Sequence, residues 1–177
     1  HTAAFYCADG LDVHDMLDYA AGNGRVLRGY KADGVTEIAK EDLLFTDADF
    51  LIPAALEGQI TADNADRVKA KYIVEGANGP TSYEADQILN AKGKIVVPDI
   101  LANAGGVIVS YFEWVQNLQS LSWSLEEVNN KLADILLKAF DEVYGLTEER
   151  GYPMRTSAYI IALRRLVKTK KIRGIFP

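Results

Sequence analysis

The sequence predicts an α/β protein in which a parallel sheet is covered by helices and a helical segment closes the chain. Three observations predict it. Short runs that are apolar on both faces recur at Phe50-Leu51-Ile52-Pro53, at Tyr72-Ile73-Val74 and at Lys94-Ile95-Val96-Val97. Segments with apolar residues at helical spacing stand between and after them, as crossovers between parallel strands require. The composition, 177 residues of which 49% are apolar and 25% charged, suffices for one sizeable core and excludes a disordered or fibrous chain. No internal repeat or low-complexity linker interrupts it, so the whole reads as one compact unit.

Each element has its own signal. Ala3 to Cys7 is the only candidate strand before the first helix, which is predicted over Asp12 to Ala21 from the stripe Val13, Met16, Leu17 and Ala20, with Gly22 and Gly24 as stops. A loop of little periodicity follows. After the first apolar run, Ala62 to Ala70 is predicted as helix; after the second, Tyr83 to Ala91 is, with Thr81 and Glu84 spaced as a capping box. The third run leads to the pair Gly105-Gly106 and another helix. Ser124 and Glu127 form a second box, opening a long helix whose stripe of Val128, Leu132, Ile135, Leu136, Ala139, Phe140 and Val143 is read as core packing. Gly151 and Pro153 end it, and Thr156 to Lys168 supplies the last helix.

Charge and composition narrow the function classes. The net charge of −6 argues against nucleic acid as the main partner. Eight of the nineteen cations follow Glu149 and no anion does, which leaves eleven cations against twenty-five anions in the first 149 residues. That basic end reads as a terminal helix with a solvated basic face, or as a phosphate or anionic-lipid footprint. No apolar run is long enough for a membrane span and no signal peptide opens the chain, so no membrane is expected and the chain reads as intracellular. A single cysteine, Cys7, with only His1 and His14 beside it, provides neither an internal disulfide nor a set of metal ligands.

In open parallel sheets ligands bind beyond the carboxyl ends of the strands, so the residues after each run are candidates. The first run leads into Pro53-Ala54-Ala55-Leu56-Glu57, whose small side chains suit the approach of a flat group or a tight turn. The second leads into Glu75-Gly76-Ala77-Asn78-Gly79-Pro80-Thr81, where Asn78 is a turn residue or a paired donor and acceptor. The third leads into Pro98 to Val107. There Asn103 offers an amide complementary to the carboxamide of a nicotinamide ring, and the glycine pair would expose backbone N–H groups at a helix start. Val107, Ser110, Tyr111 and Trp114 share a face of the following helix; a serine so placed bonds a ligand or its own i−4 carbonyl.

Taken in order and at these separations, the stretches Leu51 to Glu57, Glu75 to Thr81 and Pro98 to Asn117 resemble the cofactor domain of glutamate dehydrogenases, within the wider glutamate/leucine/phenylalanine/valine dehydrogenase superfamily. The resemblance runs from about Gly10 to Arg173, and Tyr111-Phe112-Glu113-Trp114 favours glutamate over the branched-chain and aromatic relatives. It implies a partial Rossmann-type parallel sheet, with residues 1–122 as the distal part of an NAD(P)-binding domain and residues 123–177 as helices packing on it. It implies NAD or NADP as cofactor, with Ala54, Ala55 and Gln59 along the adenosine side, Asn78 at the nicotinamide ribose and Asn103 at the carboxamide. Val107 would line the substrate pocket and Ser110 would bond the far carboxylate of glutamate. The implied parent is a homo-hexamer, cytoplasmic or in the mitochondrial matrix of a eukaryotic source, that converts L-glutamate to 2-oxoglutarate and ammonia.

A complete dinucleotide fold opens with a G-x-G-x-x-G turn, and neither Gly22/Gly24/Gly29 nor Gly76/Gly79 has that spacing. The 177 residues are therefore expected to be part of a dehydrogenase, inactive alone, with no catalytic residue and no metal ligand of their own. The rivals are a non-enzymatic α/β interaction or oligomerisation module and a leucine, phenylalanine or valine dehydrogenase, whose apolar substrate has no use for Ser110.

Overall fold

A computed structural model describes residues 3–174; His1, weighed above as a metal ligand, lies outside them. The single compact body expected from the sequence is instead two compact units, one ending at Asp47 and one beginning at Ala48. The first unit closes on a core of its own.

In the first unit β1 (Ala4–Tyr6) pairs antiparallel with β2 (Thr36–Ile38), with Ala4 opposite Ile38. The loop expected after the first helix therefore contains a strand, and then a 3-10 helix at Lys40–Phe45. Helix α1 (Val13–Gly22) starts at Asp12, whose carboxylate accepts from the backbone N–H groups of His14 and Asp15 at 3.0 and 3.1 Å. Phe5, Met16 and Tyr30 form the core, with the Tyr30 ring edge-on to Phe5 and to Tyr19.

The second unit carries the predicted parallel sheet, β3 (Phe50–Leu51), β4 (Tyr72–Val74) and β5 (Ile95–Val97), in that order across the sheet. Strand alternation sends Ile73 and Val96 to one face, where both are buried, and Ile95 and Val97 to the other. Helix α2 (Tyr83–Ala91) packs on β5 and on a 3-10 turn, Ala65–Arg67, with Leu89 and Ala85 fully buried. On the opposite side Leu101, Val143, Met154 and Ala158 form a cluster with Ile95 and Val97.

The helix predicted over Ala62 to Ala70 is reduced to that one 3-10 turn. The backbone leaves the helical region at both ends of that turn, at Asn64 (φ −127°, ψ −12°) and at Val68 (ψ 118°), and the Asn64 side chain is tied backward to the Thr61 N–H at 2.8 Å and to the Gln59 carbonyl, which holds it in the preceding loop. The cap of α2 also differs by one residue. Ser82, not Thr81, accepts from the Ala85 N–H at 3.2 Å, because Thr81 is held in a parallel bridge with Ile60.

A short helix α3 (Asp99–Ala102) precedes the predicted α4 (Gly105–Gln119). The capping box at Ser124 and Glu127 opens α5 (Leu125–Arg150), which ends at Gly151 in the left-handed region, φ 69°. Its stripe is buried only in part: Val143 is enclosed, whereas Ile135 and Phe140 remain exposed. Helix α6 (Met154–Arg173) is packed in its first half and exposed on all sides from Leu163 onward.

Candidate functional site

Three loops leave the carboxyl ends of β3, β4 and β5, and backbone hydrogen bonds sew the first two together. The Ala77 N–H donates to the Pro53 carbonyl at 2.9 Å, Gly58 to Gly79 at 2.9 Å, Ile60 to Pro80 at 2.8 Å and Ser82 to Ile60 at 2.8 Å. The first two loops meet at Gly76 with no space to spare: a Cβ there would stand 3.0 Å from the Ala54 Cβ and 3.4 Å from its Cα. Glycine is thus required for the closeness of two backbones rather than for its φ.

Between the loops lies an open cleft of about 650 Å³, with Ala55, Leu56 and Glu57 from the first loop, Gly76, Ala77 and Asn78 from the second, and Asn103 and Val107 from the third. Asn103 closes α3 at its C-terminus, and its amide nitrogen donates to the Asn78 side-chain oxygen at 2.6 Å. An amide pair therefore sits at the junction of the second and third loops, flanked by small side chains. Donors and acceptors beside a shallow, small-walled surface suit a planar amide-bearing ring, and the lining contains no lysine or arginine.

Of the seven residues expected at the site, Ala55, Asn78, Asn103 and Val107 line this cleft. Ala54 is exposed and lies beside Gly76, outside the lining. Gln59 is turned back on its own loop, its amide donating to the Glu57 carbonyl at 3.0 Å. Ser110 takes the intrahelical alternative, donating to the Gly106 carbonyl at 2.9 Å. Leu56 and Glu57, which had been given no role, are part of the wall.

Beneath the cleft lies a charge cluster that sequence reasoning missed. The Arg155 guanidinium bonds Glu75 at 2.7 Å, Asp86 at 3.2 Å and Asp99 at 3.4 Å. Glu75 and Asp86 are buried. Burial pushes the Asp86 carboxyl above its ordinary pKa, although the Arg155 charge opposes the shift. Burial also pulls on Arg155 in the neutral direction, and the bond to Glu75 with the charges of Glu75 and Asp86 more than offsets it, leaving its pKa raised. Arg155 thus does not belong to the solvated basic face in which it was counted. The only local hint was an acidic residue directly after an apolar strand; its partner stands 80 positions away.

The family model described as glutamate/leucine/phenylalanine/valine dehydrogenase matches residues 1–174. Among curated relatives, the NADP-specific glutamate dehydrogenase of Synechocystis is 47% identical over 96% of this chain and 41% of its own length. The NAD-specific glutamate dehydrogenase of Staphylococcus aureus is 46% identical over 97% of this chain and 40% of its own. In structure, the hetero-hexameric glutamate dehydrogenase of Thermus thermophilus, in a leucine-bound form, superposes with a TM-score of 0.85 at 35% identity, covering 97% of this chain and 40% of that one. The chain spans about two fifths of the length of the curated relatives it matches.

Proposed function

The chain belongs to the glutamate/leucine/phenylalanine/valine dehydrogenase family, and on that premise we propose that its cleft takes the nicotinamide end of NAD or NADP in an enzyme that oxidises L-glutamate to 2-oxoglutarate and ammonia. The observation that carries the reading is the Asn78–Asn103 amide pair at the meeting of two strand-end loops. When bound, the nicotinamide supplies hydride acceptance, and the protein's contribution is to hold and orient. Asn103 keeps its amide oxygen for a carboxamide while its nitrogen donates to Asn78 at 2.6 Å and to the Gly76 carbonyl at 3.5 Å, Asn78 stands beside it toward the ribose, and Ala55 with Gly76 and Ala77 leaves the wall low enough for a flat group. On the adenosine side Ala54 and Gln59 are the proposed contacts, Gln59 after its amide leaves the Glu57 carbonyl. Val107 lines the substrate side, and Ser110 reaches the far carboxylate of glutamate once its hydroxyl rotates from the Gly106 carbonyl.

Without a cation in its lining the cleft cannot neutralise a dicarboxylate, so catalysis draws on residues outside it and the 177 residues alone bind cofactor without turning over substrate. We assign the parent to a homo-hexamer and to the cytoplasm, or the mitochondrial matrix in a eukaryote; no helix among the described residues is long and apolar enough to cross a membrane.

Calorimetric titration of the chain with NADH tests the binding reading: saturable binding abolished by Asn103→Ala supports it, and binding indifferent to that change overturns it. The bond from Ser110 to Gly106 favours a second reading, in which the substrate is apolar and makes no use of the hydroxyl. In the longer enzyme, Ser110→Ala is expected to raise the KM for glutamate several-fold with little change in kcat; an unchanged KM selects the apolar substrate.

A further inference from the structure

We propose that Arg155 is a positioning residue for the cleft: through Glu75 and Asp99 its guanidinium sets the geometry of the Asn78–Asn103 pair. Its own backbone is well anchored. Arg155 stands in the first turn of α6, between Met154 and Ala158 of the core, and Ser157 beside it is buried with its hydroxyl accepting from Thr147 at 2.9 Å. The guanidinium then reaches carboxylates on three other elements: Glu75 at the end of β4, Asp86 in the first turn of α2 and Asp99 at the start of α3.

Two of those carboxylates are shared with the cleft loops. Glu75 bonds Arg155 through one oxygen and accepts from the Asp99 backbone N–H at 2.8 Å through the other. Asp99 likewise bonds Arg155 through one oxygen and accepts from the Gly79 N–H at 2.8 Å through the other. Gly79 follows Asn78 in the chain, and Asp99 opens the helix that Asn103 closes. A planar fork that fixes one oxygen of each carboxylate aims the second, so the second and third loops are held in register from below. Without that fork, three carboxylates are left gathered around the loops with no cation between them. The ion pairs described at Glu75, Asp86 and Asp99 all run to Arg155.

The functional side of the inference rests on the cofactor reading, so the test has a readout that needs no cofactor. Side-chain and backbone amide resonances of Asn78, Gly79 and Asn103 are followed by NMR in the 177-residue chain, in Arg155→Lys and in Asp86→Asn, with NADH titrated into each. Lysine keeps the charge and loses the fork. In Arg155→Lys, the three residues' resonances are expected to shift while those of Phe5 and Met16 stay, and the Kd for NADH is expected to rise about tenfold. If Arg155→Lys does not fold, Asp86→Asn, which touches the fork and neither cleft loop, decides by the same shifts. Resonances unmoved in a folded variant overturn the proposal, as does a displaced pair with an unchanged Kd. If the unsubstituted chain itself fails to bind NADH, the cofactor reading falls, while the shifts of Asn78, Gly79 and Asn103 still decide for or against Arg155.

Discussion

A methyl group at Gly76 would crowd Ala54, and that makes Gly76 a sharp single probe of the cleft. The first and second loops approach there at 3.0 Å between the Ala54 Cβ and the place a Gly76 Cβ would occupy. Because a backbone atom lies within 3.4 Å as well, the contact cannot be relieved by a rotamer change and the loops must part by a few tenths of an ångström. Gly76→Ala is expected to cost about 1–3 kcal/mol, read from the denaturant midpoint, and to weaken NADH binding. At this scale the sequence was legible wherever a side chain's role is local. Asn78 and Asn103 stood out because each is an amide in a glycine-rich turn just after a buried strand, and both line the cleft. Ser110 illustrates the limit, since a helical hydroxyl has a carbonyl of its own within reach and spacing cannot say which partner it takes. Arg155 was illegible for a different reason: three partners converge on it from 56 to 80 positions away, and nothing near it in the chain marks it as buried.

Among the elements, α2 separates what spacing predicts from what register decides. Thr81 and Glu84 have the spacing of a capping box, yet the parallel bridge of Thr81 with Ile60 commits that residue to the loop, and its hydroxyl is buried without a partner. Ser82 inherits the cap. Ser82→Ala is therefore expected to cost about 1 kcal/mol, whereas Thr81→Val, which removes an unsatisfied hydroxyl at equal size, is expected to cost nothing or to stabilise; urea titration of the pair decides. The box at Ser124 and Glu127 was read correctly because nothing outside α5 competes for either side chain. The Ser124 backbone and hydroxyl hold the Glu127 carboxyl below its ordinary pKa. Its contribution is thus present above the usual carboxylate range and lost as the pH falls through the lowered value. The 62–70 segment failed for the same reason that Thr81 did, since the Asn64 side chain is committed to the loop before it, at Thr61 and Gln59, and the backbone turns extended again at Val68.

For the whole molecule, the α/β class and the parallel sheet were legible from three both-face apolar runs, while the division at Asp47 was not. It depends on β1 pairing with β2 across a loop of little periodicity. Separate cores predict separate responses to alkali. The hydrogen bond that Tyr30 donates to Asp15 at 2.5 Å, then burial and the charges of Asp15 and Asp12, push its pKa up to about 12. An unfolded tyrosine titrates near 10, so this bond stabilises the first unit at all lower pH and is lost as the pH climbs through 12. Amide exchange is expected to accelerate there around Phe5, Met16 and Tyr30 before it does around Ile73 and Leu89. A different consequence attaches to the last helix, which from Leu163 onward is covered on no side. A helical end with no packing opens readily, and this one displays Arg164, Arg165, Lys168, Lys170, Lys171 and Arg173. Trypsin should shorten the chain from that end first. Since the lost residues are the counterweight to an acidic body, the trimmed product would migrate to a distinctly lower isoelectric point on a focusing gel, dating each preparation by its exposure to proteases.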